Sequence, residues 1–349
     1  MSDAGARRHV GPAITRAISI WGLLLLLILL LIVFSLLLPD TFPTLFNIKS
    51  ILSNKSVQAL VALAVFIPMT ANHFDLSAGF NLGISQVLAI GLQGQGLPWW
   101  AAVIAVLAMG ALVGLANGVL VTRVKIDSFI ATLGTGTVLY GLNAWYTGGQ
   151  QVLADLPPPF LAISGSIGVV PLPAVYTLVV SLCLWIVFEY LPLGRFLYVL
   201  GASPRAAELN GISARRYVTL GFVAAGTLAS FAGIVLQSQL QIGQCSVGQE
   251  FLLPAFTAAL LGATSVRPGR VNVWGTVLAV SVLAVTVAGL NQLGAPFFVE
   301  PLFNGSMLIL AVGLAVQASQ RRTQLGAAAD RAVASVANAE PNQPREPGR

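Results

Sequence analysis

Five charged side chains, Arg195, Arg205, Glu208, Arg215 and Arg216, crowd into residues 194–216 of a 349-residue sequence that is only 9% charged. Guanidinium and carboxylate groups in that density suit docking and ion pairing rather than covalent chemistry. Within the stretch lies a complete short helix: Ser203 is a good N-cap, Pro204 fits the first helical position, Arg205, Ala206, Ala207, Glu208, Leu209 and Asn210 make under two turns, and Gly211 supplies a left-handed stop. Arg205 and Glu208 stand three apart and can pair. So short a helix needs support from elsewhere. It is either a contact site for another polypeptide or an amphipathic connector lying on a surface.

A second group could line a polar path. HFDLSAG sets a carboxylate (Asp75) and a hydroxyl (Ser77) at a break between two apolar runs, and Asn117 is embedded in the apolar run MGALVGLANGVL. Asp75 either caps the following helix or lines a wet cavity, because a bare acid in hydrocarbon costs about 2.5–3.5 kcal/mol. His73 beside it reads as a boundary partner rather than a proton relay. In LQSQLQIGQCSVGQE, Gln237, Gln239 and Gln241 alternate, followed by Glu250. An extended segment would put the three amides on one side; a helix would turn Gln239 away from the other two. Amides both donate and accept, which suits a neutral polyhydroxylated ligand, whereas a polar external loop is the plainer reading.

Some chemistry is excluded. No nucleophile, base and orienting group assemble into a catalytic set. The three lysines, Lys49, Lys55 and Lys125, stand outside any G-x-x-x-x-G-K-[ST] phosphate loop, so ATP hydrolysis by that route is absent. Cys183 and Cys245 have no metal-ligand spacing, and no metal site is expected.

The elements that must hold these residues are apolar. With 56% hydrophobic residues and mean hydropathy +0.84, the chain reads as an all-α polytopic membrane protein. About ten spans fit, at 17–38, 56–74, 77–96, 99–121, 128–146, 172–191, 217–237, 252–266, 271–290 and 302–319. The first is too long for a signal peptide and is read as retained. Residues 1–16 are expected in the cytoplasm, 17–320 form the membrane domain, and 321–349 a disordered tail. Thirteen basic residues between Arg7 and Arg322 then fall inside and only Lys49 and Lys55 outside, so both termini are cytoplasmic. The net charge of +6 is a topology signal, not a nucleic-acid footprint. Gly110, Gly114 and Gly118 recur every four residues and predict close helix packing, with Gly79 and Gly83 a weaker stripe. Two similar span-link-span segments hint at duplication, and a five-plus-five division would make the halves inverted.

With no motor of its own and no chain of intramembrane ionisable groups, such a path needs energy from another polypeptide; an ion-coupled secondary carrier is the alternative. The motifs FDLSAG (74–79), GLANGVLV (114–121), FIATLGT (129–135), GRFLYVLGASPRAAELNGI (194–212) and GQEFLLPAFTAALLGATSVRPGRVNVWGT (248–276) together resemble the permease subunit of ribose/xylose-type ABC sugar importers, within the branched-chain amino acid/sugar permease superfamily. The resemblance runs from the first span to about Arg322. It implies a bacterial inner-membrane permease pairing with a second permease subunit, an ATP-binding cassette subunit that carries ATP and Mg, and an extracytoplasmic sugar-binding protein. It also implies that Ser203–Gly211 is the helix docking into the ATPase. Many members carry two glycines and an Ile ahead of Asp-Leu-Ser; here those positions hold Asn72, His73 and Phe74.

Overall fold

The computed structural model describes residues 12–313. Expectations for residues 1–11, for His9, Arg321 and Arg322 and for the 321–349 tail lie outside them. Helices dominate: α1 (Pro12–Leu37), α2 (Leu45–Met69), α3 (Ser77–Gly94), α4 (Trp99–Val119), α5 (Ser128–Thr147), α6 (Pro158–Leu161), α7 (Leu172–Tyr190), α8 (Pro192–Ala202), α9 (Pro204–Leu209), α10 (Ala214–Leu240), α11 (Val247–Gly262) and α12 (Val273–Gln292). A further apolar helix, α13, covers Val299–Gly313. Each of the ten expected apolar runs overlaps one of the longer helices, the last of them only as far as residue 313, where the described residues end. By length and composition, six helices among the described residues qualify to cross a membrane: α1, α2, α4 with its continuation to Val124, α7, α10 and α12. One departure from all-α is a two-stranded antiparallel ribbon, Ser166–Ile167 against Val170–Pro171.

Capping chemistry moves several boundaries from where hydropathy puts them. α2 starts eleven residues before the expected span because Thr44 caps it, its side chain accepting from the Asn47 N–H. Asn47, Lys49, Ser50, Asn54 and Lys55 make that first stretch helical but not apolar. α10 is likewise longer, starting after Ser213, which accepts from the Arg216 N–H, and running through Gln237 and Gln239 to Leu240. α11 ends at Gly262, four residues early, and Val266 takes a left-handed φ of 61° where its N–H donates to Ile20 O at 3.1 Å.

α10 is the centre of the bundle, packing on α2, α3 and α4, while α11 packs on α2, α3 and α12. Close approach explains the glycines. A Cβ on Gly114 would strike the Phe222 carbonyl and stand 2.7 Å from Val223 Cα, and one on Gly118 would stand 2.7 Å from Thr219 Cα, so the stripe on α4 is the seat of α10. Gly79 and Gly83 serve α11 in the same way: a Cβ on Gly83 would lie 3.2 Å from Gly248 Cα.

Two long helices end in a break before a second begins. After α2, residues 70–76 pass through a left-handed Asn72 (φ 60°) into α3; after α10, residues 241–246 pass through a left-handed Gln241 (φ 58°) into α11. Asn tolerates this conformation better than most side chains, so Asn72 supplies the turn that glycines would supply in the related pattern. The breaks lie on opposite sides of the bundle: Phe74 N donates to Ser128 Oγ at the start of α5, whereas Gly243 pairs with Val152 beyond its end. The first turns of α3 and α11 nonetheless meet, at Gly79, Gly83 and Gly248.

Candidate translocation and coupling sites

Where the first turn of α3 meets α4 and α10, the polar residues of the apolar core converge. Asp75 is 1% exposed, and its Oδ1 accepts from the Ser77 N–H (3.0 Å) and the Ser77 hydroxyl (2.6 Å). Asn117 on α4 donates to Ser77 Oγ at 2.8 Å. Three expected path residues therefore form one buried cluster, in which Asp75 holds Ser77, the first residue of α3, while Leu76 occupies the N-cap position. His73 does not pair with Asp75; its ring lies toward Phe222, centroids 6.2 Å apart. Asp75 Oδ2 and Asn117 Oδ1 have no hydrogen-bond partner among the described residues.

The cluster continues along α3 through residues that the sequence reading passed over. Asn81 donates to Gly226 O at 2.8 Å and accepts from Ser230 at 3.2 Å, Ser85 donates to Ser230 at 2.7 Å, and Gln86 donates to Ile242 O at 2.5 Å. Ser77, Asn81 and Ser85 are spaced by four, a polar stripe in an apolar helix, and that spacing was the available signal.

The glutamines are not brought together. Gln237 is fully buried on α10 with neither amide atom partnered among the described residues, Gln239 donates to Ser53 O at 3.1 Å, and Gln241 has left the helix as its left-handed cap. The extended arrangement is thus replaced by a helix for the first two, which point away from each other. Glu250 is exposed on the first turn of α11.

At the opposite end from Lys49 and Lys55, the basic residues gather. Arg267 grips Glu189 with two bonds of 2.5 and 2.6 Å, and Arg195 donates to Glu189 O at 3.2 Å. Tyr198 on α8 donates to Val271 O at 2.8 Å under the Arg270 guanidinium, 3.9 Å from the ring centroid. Burial pushes the Tyr198 phenol up to about 12, so it remains a donor at physiological pH. Tyr198, Arg270 and Val271 border a cavity of about 600 Å³ between α8, the 70–74 break and residues 269–271.

The short helix forms as its sequence dictates. Ser203 Oγ accepts from the Ala206 N–H at 3.4 Å, Pro204 opens α9, and Gly211 turns with φ 76° so that the Ile212 N–H donates to Ala207 O at 3.0 Å. Two details differ from expectation. Arg205 and Glu208 form no ion pair; instead Asn210 Nδ2 donates to Ala206 O at 2.8 Å. Ala207 is fully buried in the subunit's own core beside Leu197, Leu200 and Val218, so α9 is anchored from within and Ala207 is closed to a partner. The outward side carries Arg205, Ala206, Glu208 and Leu209, the last an apolar side chain 78% exposed. α8 joins α9 to the Asp75 break: Gly201 abuts the Thr70 carbonyl and lies 3.1 Å, measured from an added Cβ, from Ala71 Cα.

Long apolar helices, two broken helix pairs meeting at a buried polar cluster, and an exposed capped helix at the basic end define a polytopic membrane transport subunit. Residues 47–314 match the family described as branched-chain amino acid transport system, permease component, and the chain belongs to that family. It is 32% identical to the ribose import permease protein of Escherichia coli (strain K12) over 281 residues, 79% of this chain and 87% of that one. The ribose import permease protein of Bacillus subtilis (strain 168) is 31% identical over 284 residues, 80% and 88% of the two chains. The D-allose transport system permease protein of Escherichia coli (strain K12) is 28% identical over 295 residues, 84% and 90%. No solved structure matches the chain.

Proposed function

We propose that this chain is the membrane-spanning permease subunit of an ATP-driven importer for a sugar or sugar-like solute in the bacterial inner membrane. It forms the translocation path and takes its energy from a separate ATPase docked on α9. Family membership supports the permease role, and relatives named for ribose and D-allose import support the solute class. The observation that carries the coupling role is α9 itself: a capped helix fixed inward by Ala207 that presents Leu209 outward, 78% exposed at the basic end of the molecule. Its link to the Asp75 break through Gly201 gives a packed route by which motion of α9 reaches the core.

On this reading the chain pairs with a second permease subunit, receives solute from an extracytoplasmic binding protein and keeps both termini in the cytoplasm, with ATP and Mg bound by the ATPase alone. α1 to α5 and α7, α10, α11, α12 and α13 form two inverted halves of a ten-span domain, the two helix-break-helix units corresponding. Uptake of labelled ribose and related sugars into proteoliposomes tests the proposal. Uptake should require the ATPase, the binding protein and ATP together; uptake by the permease alone under a proton or sodium gradient would replace it with a secondary carrier.

A further inference from the structure

The cavity of about 600 Å³ at the basic end holds a charge without a counter-charge. Arg270 lines it, half-buried, with its guanidinium stacked on the Tyr198 ring at 3.9 Å from the centroid. Among the described residues no carboxylate stands within ion-pair distance of Arg270, and its Nε is buried without a hydrogen-bond partner. None of the residues lining the cavity is acidic. The acids of the neighbourhood are engaged elsewhere. Glu189 holds Arg267 with both oxygens, and Asp127, whose charge reaches His73, caps α5 by accepting from the Phe129 N–H at 3.0 Å. Three guanidinium groups, Arg195, Arg267 and Arg270, thus surround the single carboxylate of Glu189 and leave this end with an excess of positive charge.

That imbalance selects the occupant. A neutral polyol would supply hydroxyl oxygens but leave the guanidinium charge uncompensated, whereas an anion supplies both acceptor and counter-charge. Stacking covers a face of the guanidinium plane and leaves its N–H edges for the bidentate bonds that carboxylate and phosphate oxygens match. The surplus of two positive charges suits a phosphate monoester, about −1.5 to −2 at pH 7, better than a single carboxylate. The cavity volume falls within the ~300–1,000 Å³ of pockets that hold small organic molecules, so the phosphate has room for a substituent. Asn72 and His73 add an amide and an imidazole to the lining, donors and acceptors for hydroxyls on that substituent.

We propose that this cavity binds a phosphate monoester, its phosphoryl oxygens held by the Arg270 guanidinium. The test uses purified full-length permease in a maltoside detergent and phosphate-free buffer, titrated calorimetrically with ribose 5-phosphate, with ribose and with inorganic phosphate. Ribose 5-phosphate should bind at least tenfold more tightly than ribose, and inorganic phosphate should compete with it. Arg270→Gln should weaken its binding at least tenfold, while Arg216→Gln, exposed on the first turn of α10 and outside the cavity, should leave it unchanged. Ala202→Phe fills the cavity with every charge in place and should also weaken it, which keeps the test decisive if Arg270→Gln fails to fold. Displacement of ribose 5-phosphate by a short-chain phosphatidic acid would assign the monoester to a lipid headgroup, and no displacement to a soluble ligand; both support the site. Equal affinity for ribose and ribose 5-phosphate, binding of neither, or ribose 5-phosphate binding that survives both Arg270→Gln and Ala202→Phe would overturn the proposal. The assay contains no ATPase and no transport step, so its outcome is independent of the coupling role of α9.

Discussion

Replacing Gly114 with Ala adds one methyl group at the point where α4 and α10 touch backbone to backbone. That methyl would meet the Phe222 carbonyl and lie 2.7 Å from Val223 Cα, neither of which can rotate away. The helices must part, and the same movement stretches the Asn81 to Gly226 and Ser85 to Ser230 bonds, 2.8 and 2.7 Å long, that α10 makes nearby. Overpacking of this kind costs about 1–3 kcal/mol. Against it stands the better helix propensity of Ala over Gly, about 1 kcal/mol at most. Since helix association in a bilayer rests on packing rather than on expulsion of water, the packing cost should dominate, leaving a net loss of up to about 2 kcal/mol once the propensity gain of about 1 kcal/mol is taken off. Gly141 on α5 is the internal control: nothing lies within 4 Å of an added Cβ, so Gly141→Ala should keep or raise stability. The assay is thermal unfolding of the purified permease in one detergent, with all variants side by side. A Gly114→Ala protein as stable as Gly141→Ala would refute the reasoning.

The buried polar stripe should be sensitive in the same assay. Asn81→Ala removes the donor to Gly226 O and the acceptor for Ser230, and should destabilise by about 1–3 kcal/mol; unchanged unfolding would count against the network. Asp75→Ala strips Ser77 of its acceptor and should lower stability similarly, whereas Glu189→Gln, in an exposed ion pair, should cost no more than about 1 kcal/mol. In a background lacking Cys183 and Cys245, an impermeant thiol reagent applied to intact cells should label Lys49→Cys and spare Arg205→Cys. The reverse pattern would invert the topology and remove α9 from the cytoplasm.

Much of the architecture could be read from periodicity and composition, since hydrocarbon tolerates little besides long apolar helices. The ends were harder. The first turns of α2 are as polar as a loop, and only the Thr44 cap marks them as helix. α9 was legible to within one residue, Asn210 capping the helix rather than extending it, because Ser203, Pro204 and Gly211 each impose a local conformation. Which side of it faces the core was not, because Ala206 and Ala207 are chemically identical and only the packing of Leu197 and Val218 selects Ala207. Gln237 illustrates the same limit: its neighbours in sequence suggest a loop, yet α10 carries it into the interior.

Leu209 gives the most direct test of the claim that α9 couples this chain to a separate ATPase. Burying its side chain against a partner would contribute about 1.5–3 kcal/mol, so Leu209→Ala should weaken ATPase association by roughly 10- to 100-fold. The measurement is titration of the ATPase subunit onto nanodisc-embedded permease, with binding-protein-stimulated hydrolysis read in parallel. The account predicts that Leu209→Ala and Ala206→Glu weaken binding and stimulation while the permease remains folded. Parental affinity and parental stimulation in both variants would contradict it and leave α9 a connector.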